Sequence, residues 1–238
     1  MDKASAAYFD NKYYLAVPTG ASEVNNTLLI YNFLNKSWES IDNVNNVDLD
    51  EFIRKTWYIQ AQQVVSYQQP SEFYCVTATY EMENRRVPLF QGTVISVYNY
   101  ANENRVNGEP TNTKDGMVLC ARVPDAKDSS KLLVAPCFLP NIAGGQFWII
   151  GLGEKKNGEY SWAVISGGPP IEQYPDGGCT TMINKTNHAG LWIFSRDPIM
   201  DHFSYHKATE LLREKGYTLS QLYPVEQRGC LYNNSYIK

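Results

Sequence analysis

The sequence predicts an all-β protein: an eight-stranded antiparallel up-and-down barrel with one C-terminal flanking α-helix and an N-terminal β-hairpin appendage. Three observations predict it. From Phe73 onward, short apolar and aromatic runs alternate with polar turns, the spacing of a barrel or sandwich. Aromatic residues make up 13% of the chain, including 17 tyrosines, a balance that suits a pleated, half-buried surface. Asn157-Gly158 separates two of the runs, and both residues tolerate the positive φ of a tight hairpin turn.

Taken in order, residues 1–45 read as two strands, 8–18 and 28–41, joined by a turn-rich loop. The asparagine-rich stretch 42–46 is the natural boundary, leaving 46–238 as the second domain. Residues 47–52 suit a short helical turn capped by Asp48. Strands are then expected at 57–62, 74–81, 93–100, 117–123, 132–138, 147–152, 160–166 and 191–195. Eight strands close into a barrel that can hold one small ligand and leaves no open β-edge. Residues 167–190 form an insertion of 24 residues rich in glycine and proline, a length typical of functional or disordered loops. After Pro198 comes one helix, with Asp201 as cap and Gly216 as stop, and with Tyr205, Ala208, Leu211 and Leu212 on one face. Residues 217–238 are an extended tail.

Composition excludes several partners. A net charge of -4 without a basic cluster argues against nucleic acid. No run approaches the roughly 18 apolar residues that span a bilayer, and no signal-peptide segment is visible at the start of the chain. Asn25, Asn35, Asn184 and Asn233 begin glycosylation triplets, which are common by chance. The chemistry of an enzyme is also sparse. His202 and His206 have the spacing of two zinc ligands, but Phe203 stands where the general-base glutamate would be and no third ligand is evident, so no metal is expected. Gly151-Leu152-Gly153 lacks the following helix of a phosphate loop. No nucleophile elbow or persuasive carboxylate pair occurs, and no catalytic residue is assigned.

Arg196 closes the apolar run Leu191-Trp192-Ile193-Phe194-Ser195 just before Asp197-Pro198. A permanent charge at the edge of a core is explained by stacking on an indole, a contact of about 0.5 to 2 kcal/mol, or by plain solvation at a strand end. Together with Trp57 in Phe52-Ile53-Arg54-Lys55-Thr56-Trp57-Tyr58, this stretch resembles the last-strand and first-strand motifs of the lipocalins, especially the apolipoprotein D, bacterial and plant branch. The resemblance covers about residues 46–232 and takes in Cys75-Val76-Thr77-Ala78-Thr79-Tyr80, Gly92-Thr93-Val94-Ile95-Ser96-Val97-Tyr98-Asn99, Lys131-Leu132-Leu133-Val134, Phe147-Trp148-Ile149-Ile150 and Gln227-Arg228-Gly229-Cys230. One position departs from it: Lys55 stands where the family usually has glycine.

The resemblance implies a lipocalin-like barrel whose closed end is held by Trp57 and Arg196 as structural residues, and a Cys75–Cys230 disulfide tying the tail to the wall. It puts the 167–190 loop at the open mouth as a candidate lid. Of the five cysteines, Cys137 then pairs with Cys179, pinning that loop, in preference to Cys120 with Cys137, and Cys120 is left as a small apolar filler. Inward residues are expected to be Val76, Ala78 and Tyr80 in the second strand, Trp148 and Ile150 in the sixth, and Trp162 and Val164 in the seventh. These would bind a small hydrophobic ligand: a fatty acid, lysophospholipid, sterol, retinoid or carotenoid. No cofactor is required beyond such a bound lipid or carotenoid.

The disulfides imply an oxidising compartment: secreted, periplasmic or organelle lumen. Peripheral membrane contact and a protein partner at the N-terminal hairpin are compatible with this. Two alternatives are a carotenoid de-epoxidase-like enzyme on the same scaffold, for which Glu81 or Asp115 would be the acid, and a virion-associated binding module. The second rests on residues 9–17, 29–33 and 37–39, which resemble part of a β-propeller blade of the kind found in phage tail proteins.

Overall fold

The computed structural model describes residues 5–9, 12–17, 27–32, 37–42, 47–83 and 85–238, and the chain forms two compact units, 1–45 and 46–238. In the first, β1 (Ser5–Phe9), β2 (Lys12–Val17), β3 (Thr27–Asn32) and β4 (Ser37–Asp42) make one antiparallel sheet in chain order. Four strands thus stand where the sequence suggested a two-strand hairpin. Asn25 and Asn35 lie outside the described residues, whereas Asn184 and Asn233 are exposed.

In the second unit Asp48 caps α1 (Leu49–Phe52), its carboxylate accepting from the Glu51 amide at 3.1 Å. Then follow β5 (Trp57–Gln62), β6 (Tyr74–Glu81), β7 (Val94–Asn102), β8 (Leu119–Arg122), β9 (Lys131–Pro136) and β10 (Gly145–Leu152). A small hairpin of β11 (Lys155–Lys156) and β12 (Glu159–Tyr160) turns at Asn157 and Gly158, with φ of 53° and 81°. β13 (Trp162–Ser166) is separated from β16 (Leu191–Ser195) by the long loop, which contains β14 (Glu172–Gln173) and β15 (Cys179–Thr180). Eight strands, β5 to β10 with β13 and β16, pair antiparallel with their neighbours, and β16 returns to β5 with Phe194 opposite Ile59 and Ser195 opposite Tyr58. The sheet is closed, so backbone donors that an open edge would expose are paired.

α2 (His202–Glu214) packs on the outer wall. The Asp201 carboxylate accepts from the Ser204 amide at 2.9 Å at its start, and Gly216, with φ of 77°, follows its end. Ala208 and Leu212 are fully buried against Ile150, Trp162, Val164, Leu191 and Ile193. Tyr205, expected on the same face, is exposed instead.

The tail is part of the wall. Direct β5–β6 pairing covers only Trp57 opposite Ala78 and Tyr58 opposite Thr77. Beyond that point β17 (Tyr223–Pro224) pairs with Gln62 and Ala61, while Glu226 exchanges backbone hydrogen bonds with Phe73 and Cys75 at 2.9 and 2.8 Å. The Gln227 side-chain amide donates to the carbonyls of both Ile59 and Val76 at 2.8 Å, so residues 223–227 fill the space where the two strands part. The Cys75–Cys230 disulfide fastens this insert.

The second disulfide joins Cys120 to Cys137, with a Cα separation of 4.9 Å, and Cys179 is the free thiol. The expected Cys137–Cys179 bond is therefore corrected. β8 and β9 are adjacent antiparallel strands with Leu119 opposite Pro136, which brings Cys137 back beside Cys120 within disulfide reach. The 167–190 loop is held by other means: the Cys179 amide donates to Gly216 and its carbonyl accepts from Thr218, both at 2.8 Å. Thr181 adds a hydroxyl bond to Gln63 Oε1 at 2.6 Å and accepts from the Gly190 amide at 3.0 Å.

Candidate ligand cavity

At one end of the barrel the Arg196 guanidinium lies over the Trp57 ring, 3.6 Å from its centroid. Its terminal nitrogens also donate to the carbonyls of Glu51 at 2.8 Å and Phe52 at 3.1 Å, to that of Lys55, and to Glu51 Oε1 at 3.1 Å. Trp57 is fully buried, and its indole nitrogen donates to the Phe52 carbonyl at 2.9 Å. Burial lowers the Arg196 pKa from its ordinary value, an effect the Glu51 carboxylate opposes. α1 is thus drawn across the barrel end. Lys55 has no positive φ, so glycine is not needed for the chain to pass there.

Above this plug is an aromatic floor. Phe52 lies 5.2 Å from Trp57 and 5.5 Å from Tyr80, and Phe147 lies 6.1 Å from Tyr80 and 6.4 Å from Phe194, ring centre to ring centre. Burial raises the Tyr80 pKa strongly, with nearby Arg196 opposing, so the phenol stays neutral. Tyr80 is buried and lines the space above.

That space is a cavity of about 640 Å³, within the range of small-molecule sites. Its walls include Ile59, Val97, Leu119, Val134, Trp192 and Phe194. Thr186 to Ala189 of the long loop line it as well, so that loop lies at the mouth.

Val76, Ala78 and Tyr80 line the cavity. Trp148, Ile150, Trp162 and Val164 do not, and the expected inward phase of the sixth and seventh strands is corrected. Ile150, Trp162 and Val164 face outward into the contact with α2, and Trp148 packs on the same cluster. The inward residue near the start of β10 is instead Phe147. Both faces of this part of the sheet are apolar because a helix covers the outside, so alternation does not identify the inner one. A bulge between Ile149 and Gly151 further shifts the phase along β10.

The architecture is therefore a lipocalin-like barrel. Solved structures similar to this chain include the cockroach allergen Per a 4, at 15% identity over 76% of this chain and 89% of that one, with a TM-score of 0.47. Insecticyanin from the tobacco hornworm Manduca sexta is 15% identical over 82% of this chain and 89% of its own, with a TM-score of 0.48. Apocrustacyanin C2 is 14% identical over 81% and 93%, with a TM-score of 0.47. No protein-family model and no curated protein sequence matches the chain.

Neither acid proposed for an enzymatic reading lines the cavity. Glu81 is ion-paired with Lys238 at 2.9 Å, and Asp115 is exposed. His202 and His206 are both exposed on α2, and the described residues contain no group of three or more His, Cys, Asp or Glu side chains placed to hold a metal. One buried polar residue was not singled out from sequence. Arg122 is fully buried beside the Cys120–Cys137 bond and donates to the carbonyls of Cys120, Ala135, Pro136 and Leu139 at 2.7 to 3.1 Å. It holds the end of β9 and the segment after it, with no carboxylate partner among the described residues.

Proposed function

We propose that this protein binds, and carries between sites, a small hydrophobic molecule held in the barrel. The observation that supports this reading is the cavity of about 640 Å³ between an aromatic floor and a loop-framed mouth. Apolar walls supply affinity through area removed from water, and a few polar atoms fix orientation. Two disulfides fit an oxidising compartment.

The test is incubation with a total lipid extract, followed by native mass spectrometry of the repurified protein. A defined lipid is expected on the wild-type chain and absent from Ala78→Trp, whose indole would occupy the lower cavity. Recovery of equal lipid on both would sink the assignment to the barrel interior.

A further inference from the structure

Residues 132–153 form a run without a charged side chain. β9 and β10 account for most of it, because their apolar residues line the barrel or meet α2. The connection between them, 137–144, needs another reason. It passes through Pro140 into a single 3-10 turn, Asn141–Ala143, and turns its largest side chains outward: Phe138 is 75% and Ile142 94% exposed. Cys137 Sγ lies 3.5 Å from the Val118 carbonyl oxygen, which places the connection beside Met117, itself 64% exposed. A second uncharged connection, 63–71, carries Tyr67, which is 57% exposed and lines the cavity. Large apolar side chains grouped on loop tips mark a contact surface, since water is their least favourable neighbour.

The position of these tips says what covers them. Pro136, the last residue of β9, stands opposite Leu119 at the barrel end away from the Trp57 and Arg196 plug. Leu139 and Ala143 line the cavity, as does Met117, while Phe138 and Ile142 do not. One uncharged segment is thus both the upper wall of the cavity and the apolar surface outside its entrance. Four part-exposed tips on three connections do not make the continuous face of roughly 800 Å² a side that a standard protein interface buries. A lipid surface requires no matching shape and takes such side chains singly into the boundary between head groups and acyl chains. Charges next to the other mouth segments are of both signs: Lys114 and Asp115 before Met117, Lys185 before Thr186, and Glu72 in the lining. Nothing in that mixture draws the mouth to an anionic leaflet. Resting on the ligand-binding reading above, we infer that the open end of the barrel docks on a zwitterionic lipid surface through Phe138, Ile142, Met117 and Tyr67. An apolar ligand then passes between bilayer and cavity along an uncharged segment.

The test floats the full chain with phosphatidylcholine vesicles on a density gradient, and measures binding of the fluorophore N-phenyl-1-naphthylamine separately without vesicles. The double variant Phe138→Asp with Ile142→Asp is expected to lower the floated fraction at least fivefold and to leave fluorophore affinity within twofold, since neither residue lines the cavity. Leu89→Asp is the control: Leu89 is 99% exposed but belongs to the connection between β6 and β7, at the plugged end, and its change should leave flotation within a factor of about 1.5. Raising NaCl tenfold should alter wild-type flotation less than twofold. Wild-type protein that binds the fluorophore but does not float would overturn the docking and leave the ligand reading intact. So would equal loss in Leu89→Asp, flotation that requires phosphatidylserine and disappears in salt, or a dimer that the double variant dissolves, which would give the face to a second copy. Mouth-dependent flotation without fluorophore binding would support the docking and remove the evidence for the ligand.

Discussion

Arg196 combines two tasks that another cation cannot share. Its planar face covers Trp57 while its edge donates to carbonyls of α1 and to Glu51, and both members of that ion pair are nearly buried, with side chains 8% and 5% exposed. Lysine keeps the charge but loses the fork and the stack. Arg196→Lys should therefore lower stability by about 2 kcal/mol, and Arg196→Ala by about 3 kcal/mol, because stack and fork are both lost and the buried Glu51 carboxylate keeps only the half-exposed Arg54, at 3.5 Å, as its cation. Urea unfolding followed by tryptophan fluorescence checks both; a lysine variant as stable as wild type would show that the stack contributes little. This residue was legible because an apolar strand ending in arginine before proline is unusual. Arg122 was not, since an arginine at the end of a short strand reads as solvated, and only the packed structure reveals four carbonyls around it.

Among the elements, strand positions were largely legible because turn residues punctuate them. Trp57–Gln62, Tyr74–Glu81 and Leu191–Ser195 begin and end where alternation and turns place them. The inner phase was legible only where one face is special. In β6 the cavity side is Val76, Ala78 and Tyr80, but in β10 and β13 the helix-facing side is as apolar as the interior. The tail insert was hidden for a different reason. Residues 223–227 have no strand-like pattern, and their place between β5 and β6 follows from a long-range closure. The Cys75–Cys230 bond should matter through that insert. The double variant Cys75→Ala with Cys230→Ala is expected to lose roughly 2 to 5 kcal/mol. Because the bonds of Glu226 and Gln227 span the gap, amide exchange at Cys75 and Val225 should accelerate more than exchange at Ile193 on the far side of β5. Uniform exchange across the sheet would show that the tail holds without its covalent anchor.

At the scale of the whole molecule, a cavity of about 640 Å³ is a cost to stability that a bound ligand offsets. Wild-type protein without ligand lacks contacts along the lining that a filled core would make. Ligand at 100 times its dissociation constant adds about 2.7 kcal/mol, provided the unfolded chain does not bind it. For a domain of this size that corresponds to a rise in Tm of roughly 5 to 10 °C. Ala78→Trp places apolar volume in the same space from a buried, cavity-lining position, so it should keep the far-ultraviolet circular dichroism of the wild type and unfold at a temperature that no longer responds to ligand. Substitution on the other side of the wall separates filling from simple damage. Trp162→Ala removes an indole packed against Leu212 and Ile193 and is expected to lower Tm while preserving the ligand-induced rise. Should Ala78→Trp retain the ligand response, or Trp162→Ala abolish it with the fold intact, the binding space would have to lie outside the barrel, between the wall and α2.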